Sequence, residues 1–226
     1  MGRHRSWSLK RRTGRIEQRP KLLIVCEGKV TEPNYFRAFA RNEEIRLIEI
    51  DIAPEAGVPK TLVAYAVGRM REAAREAQRQ RDENLSYDEV WCVFDVDDHP
   101  AIVEAKQQAR DNGLMVAVSN PCFELWILLH FQSQTRAEQR SEMRRLCKVH
   151  IPEYDKEAPY ERLNPGYSTA VERARNLDNW HESRGTAGHN PSTAVYQLTE
   201  RLRELNRETT LQQHMIRVGR LRIEDN

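Results

Sequence analysis

Glu27 follows the apolar run Leu22 to Cys26, and Asp95 and Asp97 follow a second apolar run, Val90 to Phe94. If both runs are buried strands, their carboxylates emerge together at the carboxyl end of a sheet. Oxygen ligands from strand ends suit a hard divalent cation, since Mg²⁺ takes about six oxygens near 2.0–2.1 Å and disfavours nitrogen or sulfur cages. Alternation along the strand points Asp95 and Asp97 the same way and Val96 elsewhere, leaving Asp98 to solvent or to a supporting role. Several acids converging this closely repel one another unless a cation stands between them, so the cluster is costly empty and useful when filled. Metal-assisted chemistry on phosphate is the implied reaction class.

Two more acids are placed near the same edge. Glu32 falls in the first turn of a helix begun by Thr31 as cap, with Pro33 behind it, and Glu124 falls in the first turn of a helix that Asn120 can cap. Lys60, His99 and His189 are candidate phosphate-contacting or proton-transfer groups. His130 lies six residues after Glu124, about 120° round one helix, so it suits a core or interface position better than a shared ligand set. Arg136, Arg140, Arg144 and Lys148 recur every four residues and would form a basic stripe along one helix, a nucleic-acid-binding surface or, since Glu138 and Glu142 dilute the charge, an ordinary solvated face.

The elements that must position these groups alternate. Lys21 to Cys26 is a continuous aliphatic run, as in a strand buried on both faces. Tyr35, Phe36 and Phe39 give the helix after it an apolar face, and the alternating segment Ile45 to Ile52 reads as a less buried strand, broken by Pro54, Gly57 and Pro59. Helical spacing returns from Lys60 to about Arg81. A strand at Val90 to Phe94, a helix from Ala101 to Asp111 closed by Asn112-Gly113, and a strand at Leu114 to Val118 complete the series. Strands alternating with helices imply right-handed crossovers and a mostly parallel sheet, with ligands bound beyond the carboxyl ends where strand order reverses.

After Ser119 the pattern turns helical, over Pro121 to Phe131, Arg136 to Val149, Ser168 to His181, and Pro191 to Leu205 with Asn190 as cap. Residues 151–166 and 181–189 read as loops. The expected organisation is a basic arm at 1–20, an α/β core at 21–132, a helical extension packed on the core at 133–206 and a tail at 207–226.

The charge distribution is uneven. Residues 1–21 hold eight Lys or Arg against Glu17 alone, a balance of +7, and the formal +2 of the chain leaves −5 for the rest. Arg11, Arg12 and Arg15, with Trp7 nearby for stacking on a base, could neutralise nucleic-acid phosphates; a solvated terminus is the plain alternative. The cysteines show no Cys-x-x-Cys spacing and fit a reducing cytoplasm, no run of about 18 apolar residues suggests a membrane span, and no secretory leader pattern stands at the start. The absence of Gly-x-x-x-x-Gly-Lys-Ser/Thr argues against P-loop chemistry.

An apolar strand ending in Glu-Gly, followed by one ending in Asp-x-Asp, resembles the Toprim module of topoisomerases, primases and OLD-family nucleases. More narrowly, the segments Cys26 to Phe36, Phe94 to His99 and Ser119 to Trp126, in that order, with Asn190 to Thr193 behind them, resemble the RloB family of phage-defence proteins. The resemblance implies a Toprim-like, mostly parallel α/β sheet flanked by helices with a C-terminal helical extension. It implies a nuclease in which Glu27, Asp95, Asp97 and Glu124 are catalytic, and Glu27, Asp95, Asp97 and Glu32 bind Mg²⁺ or its substitute Mn²⁺; OLD-family enzymes likewise place a second acid shortly after the first. It further implies RNA as substrate, tRNA included, ahead of DNA, and an ABC-type ATPase as partner. Two other readings stand beside it: an adaptor or sensor subunit whose acids only stabilise the fold, and a haloacid-dehalogenase-type phosphatase, which His99 and the mid-chain Asp-x-Asp disfavour.

Overall fold

β1, Leu22–Cys26, is buried at every position, as its unbroken aliphatic sequence requires of a central strand. The computed structural model describes residues 20–45, 48–53, 58–96, 102–156 and 159–224, with backbone alone at 212–214 and 216–224. β2 is Ile48–Ile52, β3 Glu89–Asp95, β4 Met115–Asn120 and β5 Ser192–Thr193. They form one sheet in the order β2-β1-β3-β4-β5. The first four strands run parallel, and β5 pairs antiparallel with β4. The chain leaves β1 for β2 on one side and returns to β3 on the other, so strand order reverses between β1 and β3, and a crevice opens there.

Alternate β1 residues feed two cores. Leu23 and Val25, with Cys92 and Phe94 of β3, meet Leu62, Val63 and Ala66 of α2, Pro59–Gln80, and Ala105 and Ala109 of α3, Ile102–Asp111. Leu22, Ile24 and Cys26 face the other way, towards Phe36 and Phe39 of α1, Thr31–Asn42, and the helices after β4. Those are α4, Glu124–Leu129; α5, Arg140–His150; α6, Tyr160–Leu163; α7, Tyr167–Glu182; and α8, Val195–Glu224.

α4 is buried from end to end, Glu124 included. A helix apolar all round belongs at the centre of a core, and each of its fully buried aliphatic side chains contributes about 1.5–3 kcal/mol. Val195, Leu198 and Leu202 of α8 join the same core as Cys26 and Trp126, so the helical part and the sheet share one apolar interior. All four cysteines are buried and unpaired, small hydrophobes within these layers.

Several local expectations give way to tertiary structure. Thr31 is the first residue of α1 and makes no capping hydrogen bond; Val30 precedes it at the cap position. Asn120 does not cap α4, whose preceding residue is Phe123. It ends β4 opposite Ser192, and its amide donates to the Gly188 carbonyl at 2.9 Å. Asn190 does not cap α8, because residues 192–193 form β5 and the helix begins at Val195. Instead Asn190 donates to the Glu138 carbonyl at 2.8 Å and accepts from its amide at 3.4 Å. α5 begins at Arg140, leaving Arg136 in the loop before it, and residues 207–224 continue α8.

Candidate functional site

The parallel register sets Cys26 of β1 opposite Val93 of β3, which brings the residue after β1, Glu27, beside the last residue of β3, Asp95. The Glu27 amide donates to the Val93 carbonyl at 3.0 Å, extending the ladder past the strand. In return the Asp95 amide donates to Glu27 Oε2 at 3.3 Å, which turns the Glu27 carboxylate into the crevice. Glu32 arrives from the first turn of α1 and Glu124 from the first turn of α4. Together with Gly28, Lys29, Val30, Thr31, Phe123, Arg140, Arg144 and Lys156, these acids line a cavity of about 330 Å³.

Gly28 is required by this arrangement. A Cβ there would stand 2.0 Å from Glu32 Oε2 and 2.5 Å from its Cδ, so the Glu32 carboxylate fills the space that a side chain at 28 would take. The Glu-Gly pair thus has a steric reason: the first residue supplies a carboxylate and the second makes room for another.

Asp95, Glu32 and Glu124 are each only 6% exposed. Burial, then the negative charge of Glu32, push the Asp95 carboxyl well above its ordinary range; Glu124 and Glu27 add to the rise, and Arg140 opposes it. Glu32 is also raised, by burial first and then by Glu124 and Glu27, against the pull of a backbone hydrogen bond and of Arg140. The Arg140–Asp95 ion pair alone would hold Asp95 down, but the cost of taking a charge out of water outweighs it here.

The arginines enter from α5. Arg140 Nη2 donates to Asp95 Oδ2 at 2.8 Å, and Arg144 Nε stands 3.7 Å from Glu124 Oε1. Both arginine side chains are 46% exposed, whereas the Asp95 and Glu124 side chains are 8% exposed. Met143 and Cys147, buried on the same helix, fix its rotation, and Cys147 Sγ lies 3.5 Å from the Glu124 carbonyl.

The structure therefore brings Glu27, Glu32, Asp95, Glu124, Arg140 and Arg144 into one cleft. Asp97, Asp98 and His99 lie outside the described residues, as do Arg11, Arg12 and Arg15 of the basic arm. Arg136 is exposed outside the cavity and pairs with Glu138 at 3.4 Å. The expected stripe is divided, its middle members turned onto carboxylates. Lys60 is engaged by Glu104 at 3.0 Å, and His189 is exposed; neither lines the cavity. His130 is a core residue, with Nδ1 2.8 Å from the Trp126 carbonyl, and burial lowers its pKa to about 4.

Two basic cavity residues, Lys29 and Lys156, had no forecast. Lys29 directly follows the Glu27-Gly28 pair and could have been read from it. Lys156 sits in the loop after α5 with a left-handed φ of 64°, and nothing local in the sequence marks it.

The donor set fits a hard cation in type: all oxygen, all carboxylate, converging at the switch point of the sheet. Among the described residues, no group of three His, Cys, Asp or Glu side chains is arranged to hold an ion in the present geometry. In that geometry Arg140 occupies Asp95 Oδ2.

Fold and cleft together define an α/β protein with a mostly parallel five-stranded sheet and a cleft of paired acids and arginines beyond its carboxyl edge. The chain matches the family model for RloB-like proteins over residues 22–202, and it belongs to that family. No curated protein and no solved structure has significant similarity to it. Among the described residues, no helix is long and apolar enough to cross a membrane.

Proposed function

We propose that this cleft is the active site of a Mg²⁺-dependent nuclease of the Toprim type, acting on RNA ahead of DNA in antiphage defence under the control of an ABC-type ATPase. The observation that carries the chemistry is the meeting of Glu27 and Asp95 at the β1/β3 switch point, with Glu32 and Glu124 beside them and basic side chains on the rim. The choice of RNA, the defence setting and the ATPase partner rest on the family resemblance, and a cytoplasmic location on the four unpaired cysteines.

Glu27 and Asp95, with Asp97, would hold the cation, and Glu32 would complete the set. When bound, the cation supplies charge for the phosphodiester oxygens and lowers the pKa of water. The chain's own residues do the rest. The Asp95 amide orients Glu27. Glu32, raised in pKa by burial and by its acidic neighbours, carries a cost in the empty cleft that a bound cation would relieve. Lys29, Arg144 and Lys156 line the same cavity and offer positive charge to a phosphate.

The test is incubation of the purified protein with total RNA and with plasmid DNA, in Mg²⁺, in Mn²⁺ and in chelator. Cleavage of RNA that needs the cation and is abolished in Asp95→Ala, with the melting temperature retained, is the expected result; cleavage by Asp95→Ala at the native rate would refute the assignment. The Arg140–Asp95 pair also favours a second reading, a non-catalytic adaptor with a neutralised cleft, and absence of any cleavage under all these conditions, repeated with the ABC-type ATPase encoded beside it added, would select it.

A further inference from the structure

The cleft contains its own counter-ions. Four acids, Glu27, Glu32, Asp95 and Glu124, share the cavity with four basic residues, Lys29, Arg140, Arg144 and Lys156. Of the basic groups, Arg140 makes the close contact, 2.8 Å to Asp95, and its charge also acts on Glu32. The backbone before Arg140 is held by the two hydrogen bonds between Asn190 and Glu138, and the helix after it by buried Met143 and Cys147. The base of the side chain is therefore anchored, while its head is half exposed.

From this geometry we infer that Arg140 is an exchangeable internal counter-ion: its guanidinium holds a cation's place on Asp95, leaves when a divalent cation binds, and then turns to the substrate phosphate. The inference rests on the metal reading of the cleft. A guanidinium at 2.8 Å and an ion at about 2.0–2.1 Å cannot share the Oδ2 direction. Nor can arginine leave by losing a proton, since it stays charged at any working pH; a second positive charge on Asp95, which a divalent cation supplies, is what displaces it. A planar fork suits phosphate as well as carboxylate, so the displaced head remains useful one group away. Arg144 stands farther from its acid, 3.7 Å from Glu124.

The test uses the full chain and Mn²⁺ alone, with affinity measured by calorimetry for the native protein, Arg140→Gln, Arg140→Lys and Lys156→Gln. Removing the competitor should tighten Mn²⁺ binding in Arg140→Gln by about tenfold, equivalent to about 1.4 kcal/mol. Arg140→Lys should fall between. Lys156→Gln removes an equal charge from the cavity without removing an ion pair, and should change the affinity by less than about twofold, which separates displacement from general field effects. Binding of a single-stranded RNA oligonucleotide, measured with Ca²⁺ and again in chelator, reads the second half: Arg140→Gln should weaken it only when the cation is present. Equal Mn²⁺ affinity in native protein and Arg140→Gln, or equal gains in Arg140→Gln and Lys156→Gln, overturns the exchange and leaves the nuclease proposal standing. RNA affinity unchanged by Arg140→Gln in Ca²⁺ overturns the phosphate role. No Mn²⁺ binding by any variant overturns the inference and the metal reading together.

Discussion

Replacing Gly28 with alanine should act on the protein through Glu32 and through little else. The new Cβ would lie 2.0 Å from Glu32 Oε2 and 2.5 Å from Oε1. Ordinary contact begins near 3.5 Å, so the carboxylate must withdraw by about 1.5 Å or swing out of the cleft. Overpacking of this kind costs about 2 kcal/mol, a fall of about 4–8 °C in melting temperature for a chain of this size. A misplacement of about 1 Å in a catalytic group costs on the order of 100-fold in rate, so activity should suffer more than stability. The backbone itself has no objection, since among the described glycines the left-handed φ belongs to Gly113, Gly185 and Gly188 and not to Gly28. The decisive measurement is a double-mutant cycle. In the Glu32→Ala background the clash is gone, and Gly28→Ala should become neutral or stabilising by about 0.4–1 kcal/mol through the unfolded chain. The coupling between the two sites should be about 2–3 kcal/mol in denaturant melts. If Gly28→Ala costs the same in both backgrounds, the steric account of the Glu-Gly pair is wrong.

Gly166→Ala should be worse tolerated, because its Cβ would stand 2.2 Å from the His130 carbonyl oxygen, a backbone atom that cannot rotate away; about 3 kcal/mol and 6–12 °C of melting temperature are expected, and a shift under about 2 °C would contradict the packing. His130 should make the protein acid-sensitive. Its pKa falls from 6.5 to about 4 on folding, so the unfolded chain binds the extra proton between those values and stability is lost as pH drops through that window, by about 3 kcal/mol in all. Asp95 and Glu32, raised on folding, contribute with the opposite sign and lose stability as pH rises, so the His130 share is read as the difference between native and His130→Gln pH-stability curves; parallel curves would exclude it.

The positions of the acids were legible because strand burial is written locally. An unbroken aliphatic run at β1 and another at β3 have one stable location, the middle of a parallel sheet, and the residues just past each run emerge at its carboxyl edge. Glu27 and Asp95 were placed by that reasoning, Glu32 and Glu124 by their first-turn positions in the helices that follow strands, and the RloB-like family by the ordered motifs around them. The helix caps read from Asn120 and Asn190 failed for a single reason. β5 adds as an antiparallel strand beside β4, and a two-residue strand has too little sequence to announce itself. Each asparagine then commits its amide to a backbone group brought close only by folding, Gly188 for one and Glu138 for the other.

The sequence by itself therefore determined which residue types stand at the sheet edge, because burial of a strand depends on its own side chains. Tertiary structure alone decided what neutralises them. Whether Arg140 and Arg144 face solvent or acid depends on the rotation of α5, and that is set by Met143 and Cys147 packing in the core and by Asn190 holding the loop before the helix. A four-residue spacing of arginines reads the same on either face of a helix; only the packed neighbours give the face its direction.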